Sequence, residues 1–273
     1  MEDKRIQQLN ALLRGYSPIV VAVSGGVDSS FLARVAHQVC GDSMLAVHLV
    51  SEFTIPAETR FIREFTARYA IPFHEMNVEV LNIPAIVENN SQRCYHCKKA
   101  MFTALSAEAA RLGFPTVADG STPDDDNDYR PGARALRELG IVSPLREAGF
   151  SRDMIEEALG HMDIHMPSFC SNSCLATRVP YNTPITAKNL GAIGHAEDFL
   201  QQKGFTGVRV RNHHPLARLE LNISDAARLF SDDSLRNEIV RELKTAGFSY
   251  ITVDAEGFQS GSMNRTIQEE RNK

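Results

Sequence analysis

Ile19-Val20-Val21-Ala22-Val23-Ser24-Gly25-Gly26-Val27-Asp28-Ser29-Ser30 is the stretch on which the reading of this chain turns. Its first five residues are an unbroken apolar run rich in β-branched side chains, as in a strand covered on both faces of a parallel sheet. The Gly-Gly pair lets the backbone turn tightly and approach a ligand with no Cβ in the way. A helical stretch follows, carrying Phe31, Leu32, Val35, Ala36 and Val39, with Gly41 placed to stop it. Amides at the start of such a helix have no intrahelical partner and point toward an anion. The hydroxyls of Ser24, Ser29 and Ser30 can donate to phosphate oxygens, and Asp28 can hold a Mg²⁺ that bridges them. The bland alternative is a glycine turn whose serine caps a helix. The full seven-residue string between a strand and a helix favours the anion site. G-x-x-x-x-G-K-[ST] is absent, which excludes a Walker-type loop, and G-x-G-x-x-G is absent here, which weakens a dinucleotide site.

Outward from that stretch, strands and helices alternate. Residues 4–14 form an amphipathic helix, 44–50 a strand, 56–70 a helix opened by Pro56, 72–76 a strand, 98–112 a helix and 116–119 a strand. This spacing implies βαβ units with right-handed crossovers. Residues 161–185 hold three prolines and two cysteines without periodicity, and read as a long functional loop. A small α+β unit follows: helix 186–203, strands 207–211 and 216–222, helices 224–231 and 233–246, and strand 249–253. The expected organisation is an α/β domain over 1–165, a cysteine-bearing loop over 166–185, an α+β unit over 186–257 and a mobile polar tail over 258–273.

Bulk properties agree with a globular enzyme. The chain has 273 residues, 43% hydrophobic and 23% charged, with a formal charge of −5. That balance argues against disorder and against broad electrostatic capture of nucleic acid. No apolar run reaches the roughly 20 residues of a membrane span. Residues 1–5 lack the character of a secretion signal, so the expected location is the cytoplasm. Five cysteines, an odd number, fit reduced thiols better than a disulfide framework.

Cys94-Tyr95-His96-Cys97 is a C-x-x-C and Cys170-Ser171-Asn172-Ser173-Cys174 a C-x-x-x-C. Such pairs can converge on one metal, and soft thiolates suit zinc or an iron–sulfur cluster. The competing readings are a structural zinc site, packed but unliganded thiols, and a functional site formed by a cluster or a nucleophile. The last is favoured because the second pair lies in an aperiodic loop beside Arg178. Cys40 reads as a core residue. Arg209 and Arg211 alternate on a strand and share a face, and Asp119 and Ser121 follow a strand end, where open α/β sheets bind ligands. Asp124-Asp125-Asp126 reads as a solvated acidic turn, with Mg²⁺ binding the minority view.

Residues 24–30 resemble the PP-loop of the ATP pyrophosphatase superfamily, whose fold is a Rossmann-like parallel sheet of the adenine nucleotide alpha hydrolase type. Arg93-Cys94-Tyr95-His96-Cys97-Lys98, Ala118-Asp119-Gly120-Ser121, Asp128-Tyr129-Arg130-Pro131-Gly132 and Cys174-Leu175-Ala176-Thr177-Arg178-Val179-Pro180-Tyr181 follow in order. With Arg209-Val210-Arg211 and Leu216-Ala217-Arg218-Leu219-Glu220 they closely resemble the LarE family of ATP-dependent sulfur transferases over nearly the whole chain. The resemblance implies adenylation of a carboxylate of pyridinium-3,5-biscarboxylic acid mononucleotide, release of pyrophosphate and insertion of sulfur, toward the nickel-pincer nucleotide. It implies ATP and Mg²⁺ at Ser24, Gly25, Gly26, Asp28, Ser29, Ser30, Asp119 and Ser121. It implies a 4Fe–4S cluster carrying extra sulfide on Cys94, Cys97 and Cys174, or sacrificial donation by Cys174. It also implies substrate anions on Arg178, Arg209 and Arg211, and a homo-oligomer built through the C-terminal unit. Cys170, and Thr177 where the family commonly has serine, depart from the pattern. The sulfide donor is not identified by the resemblance. The rival readings are a PP-loop enzyme acting on tRNA, an amidating PP-loop ligase, and a nucleotide- and zinc-binding module without turnover.

Overall fold

The computed structural model describes residues 2–127, 131–167 and 173–259. Cys170 and Asp128-Tyr129-Arg130 lie outside them. The chain divides into two compact units: Met1–Ser51, Ala57–Val80 and Cys94–Ser171 form the first, and Glu52–Pro56, Leu81–Arg93 and Asn172–Lys273 the second. Two short segments from the N-terminal half thus belong to the second unit, a discontinuity that a linear reading of the chain does not contain.

In the first unit, strands β1 (Ile19–Ala22), β2 (Met44–Val50), β3 (Phe73–Asn77) and β4 (Thr116–Ala118) form a parallel sheet in the order β3-β2-β1-β4. A parallel bridge from Ala118 to Val142 continues it beyond β4. Side chains alternate across the sheet as the pleat requires. Ile19, Val21 and Ala46 pack with α1 (Glu2–Tyr16), α2 (Val27–Cys40) and α8 (Arg152–His161). Val20, Val47 and Val117 pack with Phe102 and Leu105 of α5 (Arg93–Arg111) and Leu136 of α6 (Pro131–Glu138). Both faces are covered, which is why β1 is apolar throughout.

Helix α3 (Pro56–Arg68) links β2 to β3. The short helix α4 (Pro84–Val87), the helices α6 and α8, and α7 (Pro144–Glu147) add to the expected elements. Helix α5 begins at Arg93, more than a turn before the expected 98. Cys94 and Cys97 therefore stand on a helix at i and i+3, on one face. None of the helices among the described residues is long and apolar enough to cross a membrane.

In the second unit, β5 (Arg209–His213) pairs antiparallel with β6 (Leu216–Glu220), which pairs parallel with β7 (Tyr250–Val253). A parallel pair needs a crossover, and α10 (Ile223–Ser231) and α11 (Asp233–Thr245) supply it. Helix α9 (Ala187–Gln202) buries Leu190, Ile193 and Leu200. Thr186, Asn222 and Asp232 cap these three helices through side chains that accept from backbone amides, as N-cap residues do. Residue 258, placed by the sequence in a mobile tail, is held in the structure. Phe258 donates its amide to Leu221 at 3.2 Å and sets its ring under Arg209, so the chain is anchored there. Residues 260–273 lie outside the described region.

Candidate active site

β1 delivers the chain to the glycine turn, and Val23 remains bonded to the sheet through Val47 at 2.9 Å. Gly25 has φ +83°, a left-handed conformation that L side chains rarely adopt. A Cβ there would stand 3.0 Å from the Glu58 carbonyl oxygen. Gly26 is the N-cap of α2 and offers no side-chain cap, so the first-turn amides stay available. The Ser30 hydroxyl is fully buried and has no hydrogen-bond partner among the described residues. A buried unsatisfied donor is costly, and beside bare helix amides and a cradle that a Cβ would fill it marks a site shaped for phosphate oxygens. These residues fit ATP.

Ser29 is placed differently. Its Oγ accepts from the Ser24 amide at 3.2 Å and donates to the Gly26 carbonyl at 3.2 Å. Its hydroxyl braces the loop; it does not stand free for a ligand. The Asp28 carboxylate lies 3.1 and 3.2 Å from Nη1 of Arg152. Arg152 donates its amide to Asp124 at 2.6 Å, and Asp125 accepts from the Thr122 amide at 2.9 Å. Asp124 and Asp125 thus act in the turn that holds α8 and Arg152. Magnesium at Asp28 would bind a carboxylate that also faces the Arg152 guanidinium.

His48 on β2 is buried. It contacts the Val23 carbonyl through Nδ1 at 2.8 Å and Thr59 Oγ1 through Nε2 at 3.0 Å. A carbonyl can only accept, so Nδ1 carries the proton and Nε2 accepts from the threonine. Burial pushes the imidazole below its ordinary pKa. Neutral histidine is therefore the folded form, while the unfolded chain takes up a proton at a higher pH. The stability that this residue contributes is present above the unfolded pKa and is lost as pH falls through it toward the folded value. Melting temperature should accordingly fall between about pH 7.5 and pH 5.5, around the ordinary histidine pKa. The fall should be shallower in His48→Gln; equal slopes for both proteins would remove His48 as the cause.

Asp119 follows β4 and is buried. It accepts hydrogen bonds from Ser121 Oγ and, at 2.6 Å, from Ser143 Oγ. The intervening Gly120 presses on α2: a Cβ there would lie 2.9 Å from both Cα and N of Ser29. The strand ends thus bring Asp119 and Ser121 beside the glycine turn, as parallel sheets arrange their ligand crevices.

Cys94 and Cys97 are half-buried in the first unit and form no disulfide, and the Cys97 thiol lies 3.6 Å from the Met101 sulfur. Cys174, also half-buried and outside any disulfide, belongs to the second unit. Among the described residues no group of three or more His, Cys, Asp or Glu is assembled as a metal site.

Cys174 is the N-cap of a 3₁₀ turn, Leu175–Arg178. Arg178 is fully buried and bidentate with Glu197, through Nε to Oε1 at 2.8 Å and Nη2 to Oε2 at 2.9 Å. Its Nη1 is 2.6 Å from the Ser173 carbonyl and 2.9 Å from Thr177 Oγ1. The expected substrate receptor is thus committed to holding the cysteine turn, because its donors are spent internally. Arg211 donates to Glu220 at 2.7 Å and to the Thr177 carbonyl at 2.8 Å. Arg209 donates, among the described residues, to the carbonyls of Gly207 and Val208 and lies 4.7 Å from the Phe258 ring. Burial, then the charge of Arg178, pushes its guanidinium down to about 10. It is the member of the trio with no carboxylate partner among the described residues.

Glu197 carried a signal that the sequence reading passed over. It occupies the 190-193-197-200 stripe of α9 with Leu190, Ile193 and Leu200, and a carboxylate on a buried stripe requires a cation. Arg152, His48, Ser143 and Asn89 had no comparable signal, since nothing local marks a polar residue whose partner is far along the chain.

Residues 6–111 match the family model described as NAD synthase. An uncharacterised protein of Synechocystis is 33% identical over 267 residues, covering 98% of this chain and 99% of that one. The pyridinium-3,5-bisthiocarboxylic acid mononucleotide synthase of Lactiplantibacillus plantarum is 33% identical over 263 residues, covering 95% and 93%. An uncharacterised protein of Methanocaldococcus jannaschii is 30% identical over 245 residues, covering 89% and 91%. The NAD synthase match stops within the nucleotide-binding half, whereas the full-length likenesses span the cysteine turn and the second unit as well. The glycine cradle, the parallel sheet and these full-length relatives agree: the chain is an ATP-using protein of the PP-loop superfamily and belongs to the LarE family.

Proposed function

We propose that this chain adenylates a carboxylate of a pyridinium-3,5-biscarboxylic acid mononucleotide with ATP and then replaces the activated oxygen with sulfur. In the first step a carboxylate oxygen attacks the α-phosphorus and pyrophosphate leaves. In the second, sulfide attacks the acyl carbon and AMP leaves, carrying away the oxygen. The observation that carries this reading is Cys174, outside any disulfide, on a turn held by buried arginines, in a chain similar over its length to a synthase of the bisthiocarboxylic product. Ser24, Gly25, Gly26, Ser30, Asp119 and Ser121 serve the nucleotide, with Ser29 bracing the loop and Asp28 taking Mg²⁺ from its place beside Arg152. Arg209, buried without a carboxylate, is the best placed of the arginine trio for a substrate anion, since a bound anion relieves its electrostatic cost. Arg211 supports it from the same strand face. A homo-oligomer in the cytoplasm completes the proposal.

Cys94, Cys97 and Cys174 have the soft donor chemistry of a 4Fe–4S cluster, and three thiolates on four irons would leave one iron open for sulfide. The arginine-held turn beneath Cys174 also suits a second reading: Cys174 donates its own sulfur and becomes dehydroalanine. Anaerobic purification with iron and acid-labile sulfide assays separates them. The cluster reading expects about four irons per chain, lost in Cys94→Ala, Cys97→Ala and Cys174→Ala. Protein without iron, with Cys174 lighter by one H₂S after turnover, would establish the sacrificial route. An unchanged Cys174 in iron-free, active protein would remove both. Absence of thiocarboxylate product from ATP, sulfide source and substrate would end the proposal itself.

A further inference from the structure

Between Ser173 and Thr183 the chain makes one short helical turn and no strand, so its carbonyls have no ladder to satisfy them. Buried side chains of the second unit take that place. Arg178 serves Ser173 and Cys174, and Arg211 serves Thr177. Arg93, almost fully buried, donates Nη1 to the Ala176 carbonyl at 3.1 Å. Asn89 Nδ2 lies 2.8 Å from the carbonyl of Pro180, 2.9 Å from that of Thr183 and 3.3 Å from that of Val179. Its Oδ1 accepts from Arg93 Nη1, and its own carbonyl accepts from the Asn182 amide at 3.0 Å. Asn89 is fully buried with φ +56°, a conformation that asparagine tolerates better than other L residues. A residue held there with every polar atom of its side chain engaged marks a point that its surroundings over-determine.

We infer that Asn89 and Arg93 are positioning residues for Cys174, fixing the direction in which its thiol is presented. The carbonyl of Cys174 is itself held by the Thr177 amide at 3.0 Å and Thr177 Oγ1 at 2.8 Å. Anchors on the residues that follow set where its Cα–Cβ bond points. A sulfur that must meet one carbon needs such support, because reacting groups lose efficiency with small displacements. The chemical purpose rests on the proposed sulfur transfer; the positioning does not.

The test is Asn89→Gly on the full-length chain, which accepts the positive φ without steric strain and deletes the carboxamide together with its methylene. Arg93→Lys, which keeps the charge but not the fork, is the second variant. The probe is iodoacetamide, with alkylation of Cys174 and Cys40 followed by peptide mass spectrometry. Cys40 sits in the first unit and reports general loosening. The Cys174-to-Cys40 rate ratio should change by about tenfold, and thiocarboxylate formed per pyrophosphate released should fall by about 10- to 100-fold. An alkylation ratio within about twofold of wild type in either folded variant would overturn the positioning role. A shifted ratio in a protein whose wild type forms no thiocarboxylate would leave the positioning standing and remove the sulfur chemistry.

Discussion

Glu197→Ala is expected to lower the unfolding free energy by about 3–5 kcal/mol. Arg178 and Glu197 are both essentially inaccessible to solvent, and the carboxylate takes two charge-assisted hydrogen bonds from the guanidinium. Glu197 also accepts the Val210 amide at 2.8 Å. Truncation therefore strands a buried cation and a buried amide together, the costly half of a broken ion pair. Urea unfolding would show it as a lower midpoint with the slope retained. Glu197→Gln should cost less, since it keeps acceptor capacity and loses the charge. A loss under about 1 kcal/mol, the range of a surface pair, would mean that Arg178 escapes to solvent and does not depend on this partner.

Gly120→Ala is expected to cut pyrophosphate release by about 100-fold. The new methyl would stand 2.9 Å from backbone atoms of Ser29, which cannot rotate away as a side-chain tip can. The strand end has little room to retreat, because Ala118 is paired with Val21 and the Asp119 amide is bonded to the Val142 carbonyl at 3.0 Å. The first turn of α2 must then move, carrying the Ser30 hydroxyl and the anion-facing amides with it. Overpacking of this kind also costs about 1–3 kcal/mol of stability. Gly191→Ala is the control: nothing lies within 4 Å of its added Cβ, and alanine favours the helix there by about 1 kcal/mol. Gly120→Ala with wild-type pyrophosphate release would show that the close approach is not what shapes the nucleotide site.

Legibility from sequence followed the range of the interactions. The strand-turn-helix around Ser24 was readable because burial on both faces leaves a local mark, an apolar β-branched run, and because a left-handed turn demands glycine at Gly25. Strands in the second unit were displaced by one or two residues, since short runs such as Arg209–His213 mix buried charges with apolar positions and blur the alternation. Helices α6, α7 and α8 escaped the reading because their apolar positions are few over eight, four and ten residues. Cys94 and Cys97 stand out in the sequence by spacing alone, but their place on the first turn of α5 depended on where that helix begins.

Roles were harder than residues. Arg178 has the same side chain whether it greets a substrate or holds a turn, and only its bidentate pairing with Glu197 distinguishes the two. Asp28 likewise is a metal-ligand type in sequence and an ion-pair partner of Arg152 in the fold.

The sequence by itself determined the parallel α/β sheet, the glycine cradle for an anion and the family to which the chain belongs, because the first two rest on local patterns and the third on a fixed order of short motifs along the chain. Only the tertiary structure decided which polar groups are committed to one another: Arg178 with Glu197, Asp28 with Arg152, and Asn89 with carbonyls some 90 residues onward. Desolvation is the reason. A buried charge or amide must find a partner wherever the fold supplies one, and that partner need not be near it in the chain.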